Sequence, residues 1–197
     1  MHPIFAAFIV FLWIFLYLAM RRAGLHAFRF VWGSAGLFVV LMITIEPLIA
    51  IPLARGVSAL AGIAGELSGW FSAYFKYGII FIESGASSMT LLVDFECSGV
   101  IEILAYLCIL AFFDVYTPGE KLILGLAGFL YIMCVNALRI VLICAAVHFF
   151  GQGAYYIFHT FIGRFLFYGL SIFLYFNVFT RAQVVKMKVG GFRYGHD

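Results

Sequence analysis

Charge is what this sequence has least of. Only 11% of its 197 residues are Asp, Glu, Lys or Arg, against 65% hydrophobic. The mean hydropathy is +1.12. No soluble domain needs that much apolar surface, so the composition points to an integral protein of a lipid bilayer. No basic stripe with interleaved stacking residues runs through the chain, which argues against a nucleic-acid partner. The four cysteines, Cys97, Cys108, Cys134 and Cys144, form no CxxC pair, and no His/Cys cluster has zinc spacing. Neither a metal nor any other cofactor is called for. Internal repeats, low-complexity stretches and a separate soluble domain are also missing.

What is present is a series of apolar runs. They predict an all-α polytopic membrane protein with transmembrane helices near residues 4–20, 31–53, 98–116, 122–149 and 155–179. Residues 1–180 then form one membrane domain and 181–197 a basic tail. The first run lacks a basic flank and an A-x-A-like site, so it reads as a retained span rather than a signal peptide. Glu46-Pro47 and Pro52 predict a kink or break at the far end of the second.

Residues 57–75 have a different pattern. Val57, Leu60, Ala61, Ala64, Leu67 and Phe71 recur at helical spacing, with Ser58, Gly62, Gly65, Glu66 and Gly69 opposite. This predicts an amphipathic helix lying along the membrane surface, with its apolar side inward. Two β-branched runs flanking Ser84-Gly85-Ala86-Ser87 predict a β-hairpin that delivers the chain to Cys97.

Lys and Arg placement gives an orientation. With the 21–29 loop, the 117–121 turn and the C-terminal tail on one side, that side holds eight of the twelve basic residues. The other side holds Arg55 and Lys76, while Arg139 and Arg164 remain inside spans. The N-terminus is then outside and the C-terminus cytoplasmic. The amphipathic helix, the hairpin and Cys97 become extracytoplasmic.

Three chemically distinct residues converge in depth. A hydrocarbon core of about 30 Å takes roughly 20 helical residues at about 1.5 Å each. Counted that way, Cys97 and His159 fall at the outer boundary, and Arg139 lies about 5 Å below it. Cys97 sits at the mouth of a predicted helix, whose N-terminal partial charge favours thiolate. A thiol nucleophile needs a base, which His159 can supply. Arg139 can hold a developing oxyanion and stays charged at any physiological pH. Asn136, one turn before Arg139, is placed to orient it. Arg164 can orient the histidine or assist the oxyanion, or else pair with Glu102 or a backbone carbonyl. Glu96 is awkward beside a nucleophilic thiol, since a like charge raises its pKa; Glu96 and Asp94 can instead serve the histidine or bind substrate. His148, nine residues after Arg139, points away from it by about half a turn.

Each residue also has a plainer role. A lone Cys or His is more often a packing or hydrogen-bonding residue. A buried Arg, which costs at least about 2.5 kcal/mol in a bilayer, is seldom idle, but it can neutralise a lipid head group or pair with Glu46 or Glu102. On that reading the chain is a non-enzymatic membrane subunit or lipid-binding scaffold. A haem site from His148 and His159 is a third option, though no two spans present a convincing pair.

Cys97-Ser98-Gly99 opening a span, Asn136-x-x-Arg139 near the outer end of the next, and His159 opening the last resemble the exosortase/archaeosortase family. The likeness covers about residues 91–179. It implies a membrane cysteine transpeptidase or protease that processes exported proteins at C-terminal signals made of a short motif, a transmembrane helix and a basic cluster. It also implies that Cys97, Arg139 and His159 are catalytic and that Ser98 and Asn136 support them. Some relatives use Arg as the third residue, which keeps Arg164 in play.

Overall fold

The computed structural model describes residues 3–84 and 87–185. The expected hairpin turn at Gly85-Ala86 and the basic residues Lys186, Lys188 and Arg193 lie outside those ranges.

The first two helices, α1 (Pro3–Arg22) and α2 (His26–Thr44), pack as an antiparallel pair across a short turn. Trp13 and Trp32 each donate an indole N–H to the other's carbonyl, at 3.0 and 3.3 Å. From α2 the chain passes into α3 (Glu46–Ser68) through one residue, Ile45, which keeps right-handed helical torsions. A single such residue cannot reverse a chain, so α3 continues in the direction of α2. Pro47 and Pro52 each lack a backbone N–H, which loosens the start of α3.

After α3 comes an antiparallel sheet in the order β1 (Phe71–Tyr74), β2 (Ile79–Ser84), β3 (Ser87–Leu92). Then α4 (Val100–Phe112) runs back and α5 (Pro118–Phe150) runs forward again. Thr117-Pro118-Gly119-Glu120 starts α5 with a capping box: Thr117 N–H donates to Glu120 Oε2 at 2.7 Å, and Thr117 Oγ1 accepts from Glu120 N–H. The last helical stretch opens as α6 (Ala154–Ile157), passes a π turn (Phe158–Ile162), continues as α7 (Gly163–Tyr175) and ends in a second π stretch (Phe176–Arg181).

This is an all-α polytopic membrane protein with a small sheet at one end. Within the described residues, His26–Thr44, Glu46–Ser68, Pro118–Phe150 and Ala154–Val185 are long and apolar enough to cross a membrane, and α4 is a shorter apolar helix. Helix pairs are fixed by small residues and by tyrosine hydroxyls. A Cβ at Gly128 would overlap the Tyr106 ring, and Tyr106 donates to the Leu124 carbonyl at 2.8 Å. Tyr131 donates to the Leu170 carbonyl at 3.0 Å and Tyr116 to that of Val178 at 2.5 Å, which ties α7 and the π stretch after it to their neighbours. At the end opposite the sheet, Arg29 and Asp114 form an ion pair between α2 and the end of α4.

Residues 57–75 do not make one amphipathic helix. Residues 57–68 are the second half of α3, which Gly69 closes in a left-handed cap at φ 72°; Phe71–Tyr74 is a strand. The faces also differ from expectation. Val57, Ser58, Ala61, Gly62 and Gly65 are buried, whereas Ile63 and Leu67 point outward at 57% and 85% exposure. Between membrane helices the apolar drive is weak, so small residues go to the contact and large apolar ones face outward. A Cβ on Gly65 would meet the Phe71 carbonyl at 2.5 Å, so this position admits nothing larger.

Helix α3 climbs beside the second half of α5. Gly56 faces the Met133 methyl, and Trp70 contacts the His148 and Phe149 rings at 6.4 and 5.1 Å between centroids. The 33 residues of α5 span about 50 Å. That exceeds a hydrocarbon layer of about 30 Å, so its last turns stand beside the sheet. The sheet buries Phe71, Ile80, Ile82, Leu91 and Val93 against these helices.

Candidate active site

Cys97 ends a single 3₁₀ turn, Phe95–Cys97, between β3 and α4. Asp94 caps that turn, accepting the Cys97 N–H at 3.2 Å. Ser98 closes it: its hydroxyl donates to the Phe95 carbonyl at 2.8 Å and accepts from Val100 N–H at 3.3 Å. Gly99 then turns the chain into α4 at φ 74°, a torsion that L residues with a Cβ rarely adopt. The Cys97-Ser98-Gly99 signature is thus a device for seating a thiol just ahead of a helix.

Asn136 of α5 fixes this turn from the other side. Its Nδ2 donates to the Cys97 carbonyl at 2.5 Å, and it is 1% exposed. Three residues on, Arg139 is also buried, at 5% exposure, with its guanidinium carbon 6.0 Å from the Phe167 ring centroid. Gly163 permits that placement. A Cβ there would meet the Arg139 Cγ at 3.2 Å and the Phe158 carbonyl at 2.7 Å. His159 lies in the π turn, half-buried and stacked on Tyr155 at 5.0 Å and 22°. A π turn inserts an extra residue and re-aims the side chains around it. The histidine lies within electrostatic reach of Arg139, Arg164, Asp94 and Glu96, and Cys97 within reach of Arg139, Asp94 and Glu96.

Three buried polar atoms in this cluster have no protein partner: Asn136 Oδ1, Arg139 Nε and His159 Nδ1. Burying such atoms unpaired is costly, and each leaves hydrogen-bonding capacity unused at the site.

The expected thiolate is absent. Burial pushes the Cys97 thiol up to about 11; Arg139 opposes the rise, and Asp94 and Glu96 add to it. The helix N-terminus does not help, because Cys97 precedes α4 by three residues and its own N–H already bonds Asp94. The resting group is a protonated thiol. Its alkylation by a neutral haloacetamide, followed by peptide mass mapping, is expected to speed up about tenfold per pH unit from 7.5 to 10. A rate that levels off below pH 9 would contradict this.

The other candidates separate cleanly. Arg164 pairs with Glu96 at 3.5 Å, not with Glu102 or a carbonyl, in a contact exposed enough to contribute little stability. Glu96 nonetheless still pushes the Cys97 thiol upward. His148 belongs to the sheet: its Nδ1 bonds the Glu83 carbonyl at 2.7 Å and its ring stacks on Trp70. Among the described residues no group of three His, Cys, Asp or Glu is placed to hold a metal ion. Tyr155, Phe167 and Gly163 went unread in the sequence. The only signal was spacing, with Tyr155 four residues before His159 and Gly163 four after.

Residues 2–176 match the family described as transmembrane exosortase. The chain belongs to that family. The match covers every element that builds the Cys97, Arg139 and His159 cluster, and the family is one of membrane enzymes that act on exported proteins. No curated protein and no solved structure matches the chain.

Proposed function

We propose that this exosortase-family protein is a cysteine transpeptidase or peptidase that cleaves C-terminal sorting signals of exported proteins through a thioester on Cys97. The observation that supports the reading is that Cys97 and His159, from separate elements, each lie within electrostatic reach of the buried Arg139 guanidinium, whose Nε has no protein partner. Cys97 Sγ attacks the scissile carbonyl and its proton passes to His159. A C–S bond forms, and the carbonyl oxygen gains negative charge beside the Arg139 guanidinium. Collapse breaks the C–N bond, and His159 returns the proton to the leaving amine. An amine or water then attacks the thioester and frees the thiol.

A protonated resting thiol fits this order of events. It waits inert until a bound carbonyl makes loss of its proton productive. Asn136 holds the nucleophile's backbone, Ser98 shapes its turn, and the Arg164–Glu96 pair joins α7 to that turn. The site faces the extracytoplasmic side, with the N-terminus outside and the C-terminus in the cytoplasm, as the sorting of Lys and Arg requires. There it meets a peptide just before a substrate's membrane helix. The substrate's basic cluster then lies in the cytoplasm.

The test is a secreted reporter fused to the C-terminal motif, helix and basic cluster of an exported protein from the same organism. Wild-type cells are expected to release the reporter outside the membrane. His159→Ala is expected to slow release about 10²- to 10⁴-fold, and His148→Ala to leave it near wild type. Reporter that stays whole in wild-type cells, or is cut on the cytoplasmic side, would overturn the proposal. Normal release by His159→Ala with loss in His148→Ala would move the base to His148 of α5.

A further inference from the structure

Strand β3 carries the chain from the sheet to Cys97, and part of its outer edge is open. The phase of the ladder is set by Val93 N–H donating to the Gly78 carbonyl at 2.8 Å and by the pairing of Ile80 with Leu91 and Ile82 with Met89. Antiparallel pairs alternate, so Met89, Leu91 and Val93 turn their backbone groups toward β2, and Ser88, Thr90 and Leu92 turn theirs away. Ser88 agrees with this phase: its carbonyl accepts from Gln152 Nε2 at 3.1 Å. Among the described residues, the outward backbone groups of Thr90 and Leu92 have no such partner.

An unpaired edge is usually blocked by charge, proline or a bulge. Strand β3 reads Ser-Ser-Met-Thr-Leu-Leu and carries no charge or proline. The opposite edge of the sheet is not available in the same way. Strand β1 is pressed against α3, where Gly62 and Gly65 meet Ala73 and Phe71. Leu92, 58% exposed, stands only five residues before Cys97.

We propose that the Thr90–Leu92 edge receives the substrate segment that precedes the membrane helix, as an extended strand added parallel to β3. The inference rests on the reading of Cys97 as the nucleophile of a peptidyl-transfer site. The direction follows from geometry. Strand β3 runs from the sheet toward Cys97, and a substrate whose membrane helix lies C-terminal to its motif runs the same way. Backbone hydrogen bonds to Thr90 and Leu92 align the peptide whatever its side chains, and alternate residues lie over the exposed face shared with Phe81. The scissile bond is delivered as the added strand runs out beside the Asp94–Cys97 turn.

The probe is the same secreted reporter. Thr90→Pro removes the outward N–H and costs the sheet no internal bond. It is expected to slow release at least tenfold while Cys97 alkylation by a small haloacetamide keeps its wild-type rate. Wild-type release by Thr90→Pro would overturn the proposal. If that variant does not accumulate or its alkylation changes, a photocross-linking amino acid decides, placed at Leu92 or at Tyr74 in a Cys97→Ala background. Cross-links from Leu92 to the reporter's motif segment are expected. Cross-links from Tyr74 alone, from Leu92 to a second copy of this chain, or none to the reporter would overturn it. Failure of the catalytic reading looks different: Cys97→Ala would then release the reporter normally.

Discussion

Cells carrying Cys97→Ala are expected to leave the reporter whole, with release reduced by at least about 10⁴-fold and protein levels unchanged on a blot. The size of the effect follows from what is lost. Removing the nucleophile of a covalent mechanism removes the whole route, and the residual rate is that of bound substrate attacked by water. The protein level should hold because the substitution deletes one sulfur from a residue whose structural bonds are made by its backbone. The Cys97 N–H binds Asp94 and its carbonyl binds Asn136, and neither needs the thiol. A scaffold that merely holds a head group with Arg139 predicts full release by the same variant.

Arg139→Lys is the second large effect, expected to cost about 10²- to 10³-fold in release, the usual loss on removing one oxyanion donor. Charge is kept, so a purely electrostatic or lipid-neutralising role would survive the change. The guanidinium is planar and multidentate. It packs at 6.0 Å from the Phe167 ring and presents a buried Nε with no protein partner. An ammonium on a flexible stem reproduces neither the stacking nor the paired donors. Wild-type release by Arg139→Lys, with normal expression, would remove Arg139 from the oxyanion role and leave it a bulk charge.

Much of the layout was legible from residues. The capping box at Thr117 and the Gly69 stop are local signals, yet the periodic pattern runs one helix through Gly69 to residue 75 and starts another at 122, whereas the structure ends the first at Ser68 and starts the other at Pro118. Capping depends on near neighbours alone, so both ends are set by local residues. Constant helical rise suggests one layer for Cys97, Arg139 and His159, and in the structure Cys97 and His159 each lie within electrostatic reach of Arg139. What was not legible depends on partners. On α3, Val57 and Ala61 are buried as expected, but Leu60 and Leu67, which look like part of the same core stripe, face outward, as large apolar residues do in a membrane protein. Strand β1 was hidden inside an apparent helical period, and it becomes a strand only because β2 pairs with it. The thiol's state was misread for a similar reason. A helix N-terminus favours thiolate when the thiol reaches it, but Gly99 separates Cys97 from α4, and burial then decides. The Arg164–Glu96 pair joins residues 68 positions apart, which no spacing rule anticipates.

The most direct measurement is peptide mass mapping of wild-type protein mixed with the reporter and quenched in acid during turnover. The account predicts that the peptide containing Cys97 carries the reporter's newly formed C-terminal residues through a bond that hydroxylamine breaks. Reporter cleavage with no acyl group on Cys97, or with the acyl group on Cys108, Cys134 or Cys144, would contradict it.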